Sequence, residues 1–146
     1  MIVEDSLRKL LSPDKIVLVG VSDNINKLSS RPLRLLKDFN YSGEVYPVVP
    51  DRNEIMGFKC YPDIMKVPGE PDLVIYMGHG EELESVISKC GCKNIKFLII
   101  MNSRMFENKN REFDSQKLLC KAKENNVRLL GPDSQGIVNF SDNIPM

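Results

Sequence analysis

The fold is decided by the stretch Lys15-Ile16-Val17-Leu18-Val19-Gly20-Val21-Ser22. A charged residue precedes four consecutive aliphatic side chains, and a glycine follows them. Because no charge interrupts the apolar run, the stretch is typical of a strand that is buried on both faces. In an open α/β sheet, the turn after such a strand is a usual place for a phosphate. The stretch therefore predicts a nucleotide-type binding domain built around the turn at Gly20.

The composition is that of a single globular domain. The chain has 146 residues, of which 42% are hydrophobic and 27% are charged, which is sufficient for a full core. Twenty basic and twenty acidic residues cancel, so no overall field favours nucleic acid or an anionic membrane as a partner. No apolar run approaches the roughly 20 residues of a membrane span, and the amino terminus lacks a signal-peptide pattern. We expect a cytoplasmic protein, and leave open whether it forms a homo-oligomer.

The cysteines are typical of reduced thiols. A domain of this size does not depend on disulfides, and the spacing of Cys60, Cys90, Cys92 and Cys120 contains no paired C-x-x-C motif. Cys90 and Cys120 fall on helix positions that we expect to face the core. We therefore expect free thiols and no metal site.

Apolar runs alternate with amphipathic segments along the chain. The runs predict strands at about 15–20, 44–49, 72–77, 95–100 and 127–130. Helices are predicted between them, and the alternation predicts an α/β fold: a doubly wound, mostly parallel sheet of five to six strands with helices on both faces. Right-handed crossovers favour an order such as third, second, first, fourth, fifth. Pro47 lies inside the second strand, which indicates that this strand lacks a neighbour on one side.

The loops that leave the carboxyl ends of the strands predict a ligand site. In a parallel sheet these loops lie along one edge, and the crevice is expected where the strand order reverses, between the first and fourth strands. Ser22, Asn24, Asn102 and Ser103 are then predicted to face a common ligand, with Pro50 and Arg52 to one side.

The first of these loops departs from the common dinucleotide pattern. A G-x-G-x-x-G fingerprint would need glycine in place of Ser22 and Ile25, which argues against a nicotinamide or flavin site. Backbone N–H groups and the Ser22 hydroxyl can still receive a phosphate. A plain connection that binds no ligand also remains open.

Several segments, read in order, resemble the CoA-binding domain of NDP-forming (ADP-forming) acyl-CoA synthetases, which is similar to the N-terminal domain of the succinyl-CoA ligase α subunit. The resemblance runs from about residue 8 to residue 146. It is carried by V-L-V-G-V-S at 17–22, G-E-V-Y-P-V-V-P at 43–50, E-I-M-G at 54–57, C-Y-P at 60–62, P-D-L-V-I at 71–75 and R-L-L-G-P-D-S-Q-G-I-V-N at 128–139.

The resemblance implies a Rossmann-like fold that binds coenzyme A (CoA) or an acyl-CoA. It implies that 22–25 meet the CoA phosphates, that Arg52 pairs with the 3′-phosphate, that 101–103 lie along the pantetheine arm and that 131–134 lie near the thiol. The implied cofactor-binding residues are Gly20, Ser22, Asp23, Asn24, Ile25, Pro50, Arg52, Met77, Asn102, Ser103, Gly131, Pro132 and Ser134.

Three positions depart from the family pattern: Asp133 replaces the usual Asn, Arg104 replaces a Gly, and Met77-Gly78-His79 replaces Val-Pro-Ala. In the family, acyl transfer uses a phosphohistidine and an ATP-grasp domain on other parts of the synthetase. The resemblance therefore implies no catalytic residue here. It implies a CoA-binding module, either the N-terminal part of a longer synthetase that works with those domains in cis or in trans, or a stand-alone protein. An NAD(P)-binding regulatory or dehydrogenase domain and a degenerate interaction domain are the alternatives.

Overall fold

The computed structural model describes residues 2–102 and 115–146. Within these ranges the helices are α1 (Ile2–Leu11), α2 (Arg31–Asp38), α3 (Leu83–Cys92) and α4 (Ser115–Glu124). The strands are β1 (Lys15–Val19), β2 (Glu44–Val48), β3 (Glu54–Ile55), β4 (Phe58–Lys59), β5 (Leu73–Tyr76), β6 (Phe97–Ile100), β7 (Arg128–Leu130), β8 (Val138–Asn139) and β9 (Ile144–Pro145).

Five parallel strands form the central sheet in the order β2-β1-β5-β6-β7. The predicted Rossmann-like α/β class is therefore confirmed. Ile16, Val17 and Leu18 of β1 have no exposed surface, as expected for a strand covered on both faces. Alternate side chains of each strand face opposite layers: Val17 packs in the cluster that contains α3 and α4 side chains, whereas Ile16 packs in the cluster that contains α2 and the carboxyl-terminal segment.

The predicted strand order is wrong at one point. The third parallel strand, β5, lies between β1 and β6, with Val17 opposite Val74 and Val74 opposite Leu98. Pro47 gives the physical reason. Its carbonyl accepts a hydrogen bond from Tyr61 N–H at 2.8 Å on the outer side of β2, where its own missing N–H would also point. A full strand could not pair there, so β5 pairs with the free side of β1.

The edge position of β2 was predicted from Pro47, and it is confirmed. Beyond β2, the part of the chain that the structure describes adds one parallel bridge, between Val48 and Tyr61. The Tyr61 ring also meets the Tyr46 ring edge-on, with centroids 5.7 Å apart. A short β3–β4 hairpin follows β2 before the chain returns to β5.

One expected core position on α4 is wrong. Cys120 is exposed, whereas Cys90 is fully buried on α3. Leu118 and Ala122 are four residues apart and face the sheet, so Cys120, midway between them, points away from it. All four cysteines are free. No helix within 2–102 and 115–146 is long and apolar enough to cross a bilayer.

Candidate functional site

The ends of β1 and β5 meet backbone to backbone at Gly20 and Gly78. Gly20 has a φ of +81°, and a Cβ placed on it would lie 2.8 Å from the Gly78 nitrogen. Met77 N–H donates to the Val19 carbonyl at 2.9 Å. Only glycine combines this backbone angle with so close an approach. The turn that opens the predicted site is therefore fixed against the loop that follows β5.

The loop after β1 is held by hydrogen bonds of its own. Ser22 N–H donates to the Ser29 carbonyl at 3.4 Å. The Ser22 hydroxyl oxygen accepts from Asn24 N–H at 3.1 Å, and Asn24 Oδ1 accepts from Asn26 N–H at 3.0 Å. Since a hydroxyl that accepts can also donate, Ser22 still has a proton for a ligand oxygen. Ile25 is 60% exposed at the tip of this loop.

The loop after β2 reaches the loop after β1 through an ion pair. Arg52 Nη2 lies 2.9 Å from Asp23 Oδ2, and the two side chains are 56% and 48% exposed. Arg52 N–H donates to the Val49 carbonyl at 3.3 Å, which closes a turn around Pro50. Two predicted site residues from different loops are thus in direct contact.

The loop after β5 is connected to the end of β6. The Asn102 side-chain amide donates to the Gly78 carbonyl at 2.7 Å, and Met101 N–H donates to the Tyr76 carbonyl at 3.0 Å. The Tyr76 hydroxyl donates to the His79 carbonyl. Burial, and then the charge of Glu82, raise the pKa of Tyr76 above its ordinary value, so the hydroxyl keeps this proton.

The loop after β7 folds over the end of β6. A Cβ on Gly131, which has a φ of +106°, would lie 2.4 Å from the Ile100 carbonyl oxygen. Ser134 N–H donates to the same oxygen at 3.1 Å, and the Ser134 hydroxyl accepts from Gly136 N–H at 3.1 Å. Asp133 has a φ of +58°, a conformation that Asp and Asn tolerate better than most residues.

We name these connected segments the carboxyl rim: 20–30, 50–53, 77–80, 101–102 and 131–136. The described residues of the predicted site all lie on it, and Ser103 and Arg104 lie outside the described residues. The predicted crevice between the first and fourth strands is wrong, because β5 separates them. Among the rim residues that the predicted set omits, Gly78 matters most for the geometry, because it contacts both Gly20 and Asn102. The sequence feature that could have indicated Gly78 is the Gly78-His79-Gly80 pattern directly after an apolar strand.

The opposite edge of the sheet carries a different feature. A polar recess of about 310 Å³ lies there, and none of the predicted site residues lines it. Its walls are Arg8, Ser12, Pro13, Asp14, Tyr41, Ser42, Gly43 and Asp142. Burial, reinforced by the negative charges of Asp14 and other nearby carboxylates, raises the pKa of Tyr41. Within the described residues, no group of three or more His, Cys, Asp or Glu side chains could hold a metal ion.

Comparisons with known proteins agree on one family. Residues 14–139 match the family described as CoA binding domain. ADP-forming acetate–CoA ligase II of Archaeoglobus fulgidus is 31% identical over 135 residues, which cover 91% of this chain and 20% of that protein. The α subunit of ADP-forming acetate–CoA ligase II of Pyrococcus furiosus is 29% identical over 134 residues, covering 91% of this chain and 29% of that subunit.

Solved structures place the fold in the same group. The dinucleotide forming acetyl-coenzyme A synthetase 1 of Ca. Korarchaeum cryptofilum, in its apo form, aligns with a TM-score of 0.85 and 32% identity, over 94% of this chain and 30% of that one. This chain therefore spans less than a third of the length of these relatives. The predicted resemblance is confirmed: the chain belongs to the CoA binding domain family and is homologous to the CoA-binding module of ADP-forming acetyl-CoA synthetases.

Proposed function

We propose that this domain holds coenzyme A along the carboxyl rim, as the CoA-binding module of an ADP-forming acyl-CoA synthetase. The observation that carries the location is the continuity of the rim. Arg52 contacts Asp23, Gly20 contacts Gly78, and Asn102 donates to Gly78. These contacts join the loops after four strands, and Ser134 N–H, which donates to the Ile100 carbonyl, adds the loop after β7. The five loops thus form one connected surface in a chain whose residues 14–139 match a CoA binding family.

The polyanionic end of the ligand is assigned to the first two loops. The loop from Gly20 to Ile25 offers backbone N–H groups and the Ser22 hydroxyl, which suit a pyrophosphate. Arg52 offers a half-exposed guanidinium, whose fork of donors matches the oxygens of a phosphate. We assign Arg52, beside Pro50, to the 3′-phosphate of the adenosine end.

The pantetheine arm is assigned to the other end of the rim. Met77, Asn102 and the adjacent Ser103 would lie along the arm, with Gly131, Pro132 and Ser134 toward the thiol. Ser134 N–H and Asn102 Nδ2 are already bonded to the backbone at 3.1 Å and 2.7 Å, which fixes the shape of this part of the rim before the ligand arrives. Such preorganisation lowers the entropic cost of binding.

The chemistry of acyl transfer is assigned to other parts of a synthetase. We propose that the domain forms the N-terminal part of a longer enzyme, or works with separate subunits that carry the phosphohistidine and the nucleotide site. The relatives support this, since this chain spans about 20% of one ligase and 29% of an α subunit. The proposed location is the cytoplasm, where the four free thiols would remain reduced.

Calorimetric and thermal-shift titrations with CoA, dephospho-CoA and NAD test this function. We expect saturable binding of CoA and weaker binding of dephospho-CoA, with a stabilisation of about 2.7 kcal/mol at a hundredfold excess over Kd. A response to NAD alone would assign the rim to a nicotinamide dinucleotide instead. The absence of any response would leave an interaction domain without a small ligand.

A further inference from the structure

Asp23 and Arg52 belong to different loops of the carboxyl rim, and each is held in place by its own turn. Ser22 N–H bonds the Ser29 carbonyl, and Asn24 N–H bonds the Ser22 hydroxyl, on either side of Asp23. Arg52 N–H bonds the Val49 carbonyl. The 2.9 Å contact between the two side chains therefore joins two ordered turns.

The guanidinium of Arg52 is already occupied by an oxyanion of the protein itself. A carboxylate and a phosphate present similar oxygen geometry to an arginine, so both compete for the same donors. A phosphate that docks on Arg52 also brings its negative charges close to the Asp23 carboxylate. Since both side chains are about half exposed, the guanidinium is accessible to a ligand from solvent, and the pair can open without unfolding either turn.

We infer that Asp23 sets the ligand specificity of the rim by competing with the 3′-phosphate of the ligand for Arg52. This inference rests on the proposed function. A ligand with the phosphate must open or share the Asp23–Arg52 pair, whereas a ligand without it leaves the pair intact. Asp23 therefore weakens the binding of CoA selectively and narrows the difference in affinity between CoA and dephospho-CoA.

Substitution of the carboxylate by its amide tests the competition. Asp23→Asn keeps the size and the hydrogen-bonding oxygen of the side chain and removes its charge. We expect CoA to bind about two- to fivefold more tightly, the range that an exposed ion pair represents, and dephospho-CoA, which keeps the pyrophosphate but lacks the 3′-phosphate, to gain less. Asp38→Asn is the matched control, because Asp38 is an exposed aspartate at the end of α2, outside the carboxyl rim.

The double variant Asp23→Asn/Arg52→Gln identifies the route of the effect. In the Arg52→Gln background, Asp23→Asn should change the calorimetric Kd of CoA and of dephospho-CoA by the same factor, because the contested guanidinium is gone. An equal gain for CoA and dephospho-CoA, an equal gain from Asp38→Asn, or a CoA-selective gain that persists without Arg52 would overturn the inference. If neither the wild type nor any variant binds CoA, both the proposed function and the inference fail. If CoA binds and Asp23→Asn leaves its Kd unchanged, only the inference fails.

Discussion

The Asn102 side-chain amide donates a 2.7 Å hydrogen bond to the Gly78 carbonyl, and this contact joins the end of β6 to the loop that follows β5. The loop also receives the turn after β1, since the Gly20 backbone lies directly against Gly78. Gly78 is therefore the residue on which three loops of the carboxyl rim converge. A ligand that lies along the rim must pass this junction.

Removal of the Asn102 amide should loosen the junction. Asn102→Ala leaves the Gly78 carbonyl without this donor, which we expect to cost about 1 kcal/mol of stability and to weaken CoA binding. The measurements are urea denaturation and a calorimetric titration of each variant. The matched control is Gln116→Ala, which removes an exposed amide from α4. If Asn102→Ala changed neither quantity more than this control, the contact would have no role at the rim.

Gly20 should tolerate no side chain. Gly20→Ala places a Cβ 2.8 Å from the Gly78 nitrogen and keeps a φ of +81°, so both the clash and the backbone strain oppose it. Gly57 provides a control with a similar φ of +89° but with Lys37 Nζ, 4.0 Å away, as the nearest contact. The backbone strain of an alanine at such a positive φ, which both variants share, costs about 1–2 kcal/mol of stability. We expect Gly20→Ala to lower the free energy of unfolding by clearly more than Gly57→Ala, and equal losses would refute the close approach.

Asp72 should stabilise the start of the sheet. Its Oδ2 accepts from the N–H groups of Asp14 and Lys15 at 2.9 Å and 3.2 Å, and its Oδ1 lies 3.0 Å from Lys9 Nζ. Only 10% of the side chain is exposed. Asp72→Ala leaves two backbone donors without this acceptor, for which we expect a loss of about 1.5–3 kcal/mol in denaturant unfolding. Glu70→Gln, an exposed change two residues away, should cost much less.

Stability in acid should depend on Asp63. Burial alone raises the pKa of this carboxyl, but hydrogen bonds from Lys89 and from Met65 N–H, with the charges of Lys89 and Lys66, outweigh it and hold the pKa below its ordinary value of 3.8. A lowered pKa in the folded state means that the ionised form stabilises the fold. The contribution is therefore complete above the ordinary pKa and is lost as the pH falls through the lower folded value.

Asp63→Asn isolates this charge, because an amide oxygen can still accept from Met65 N–H. We expect the variant to be less stable than the wild type at pH 7, with the difference shrinking as the pH is lowered below about 4. Thermal unfolding across this range is the measurement. A stability gap that stayed constant with pH would show that Asp63 does not act through its charge.

The elements of the sheet were predictable because their signals are local. The runs in β1, β5 and β6 are apolar without interruption, and all three strands are buried on both faces. The order of the strands was not predictable, since the irregular segment from 49 to 72 allows more than one right-handed crossover. Pro47 carried the missing information, because a strand with proline at this position belongs at an edge.

The candidate site was likewise predictable only in part. Which loops share an edge follows from a parallel sheet alone, and the family follows from the order of short motifs. The Asp23–Arg52 pair and the Asn102–Gly78 bond join residues 29 and 24 positions apart. Contacts of this kind depend on how the loops bend in space, and residue spacing does not encode that.

A heteronuclear NMR titration of the ¹⁵N-labelled protein with CoA tests most directly where the ligand binds. We expect saturable shifts of the amide signals of 20–25, 51–53, 77–80, 131 and 133–136 on the carboxyl rim. The amides of Ser12, Asp14 and 41–43, which line the polar recess at the opposite edge, should not move. Shifts confined to that recess, or no saturable shift at the rim, would contradict the assignment of the carboxyl rim as the CoA site.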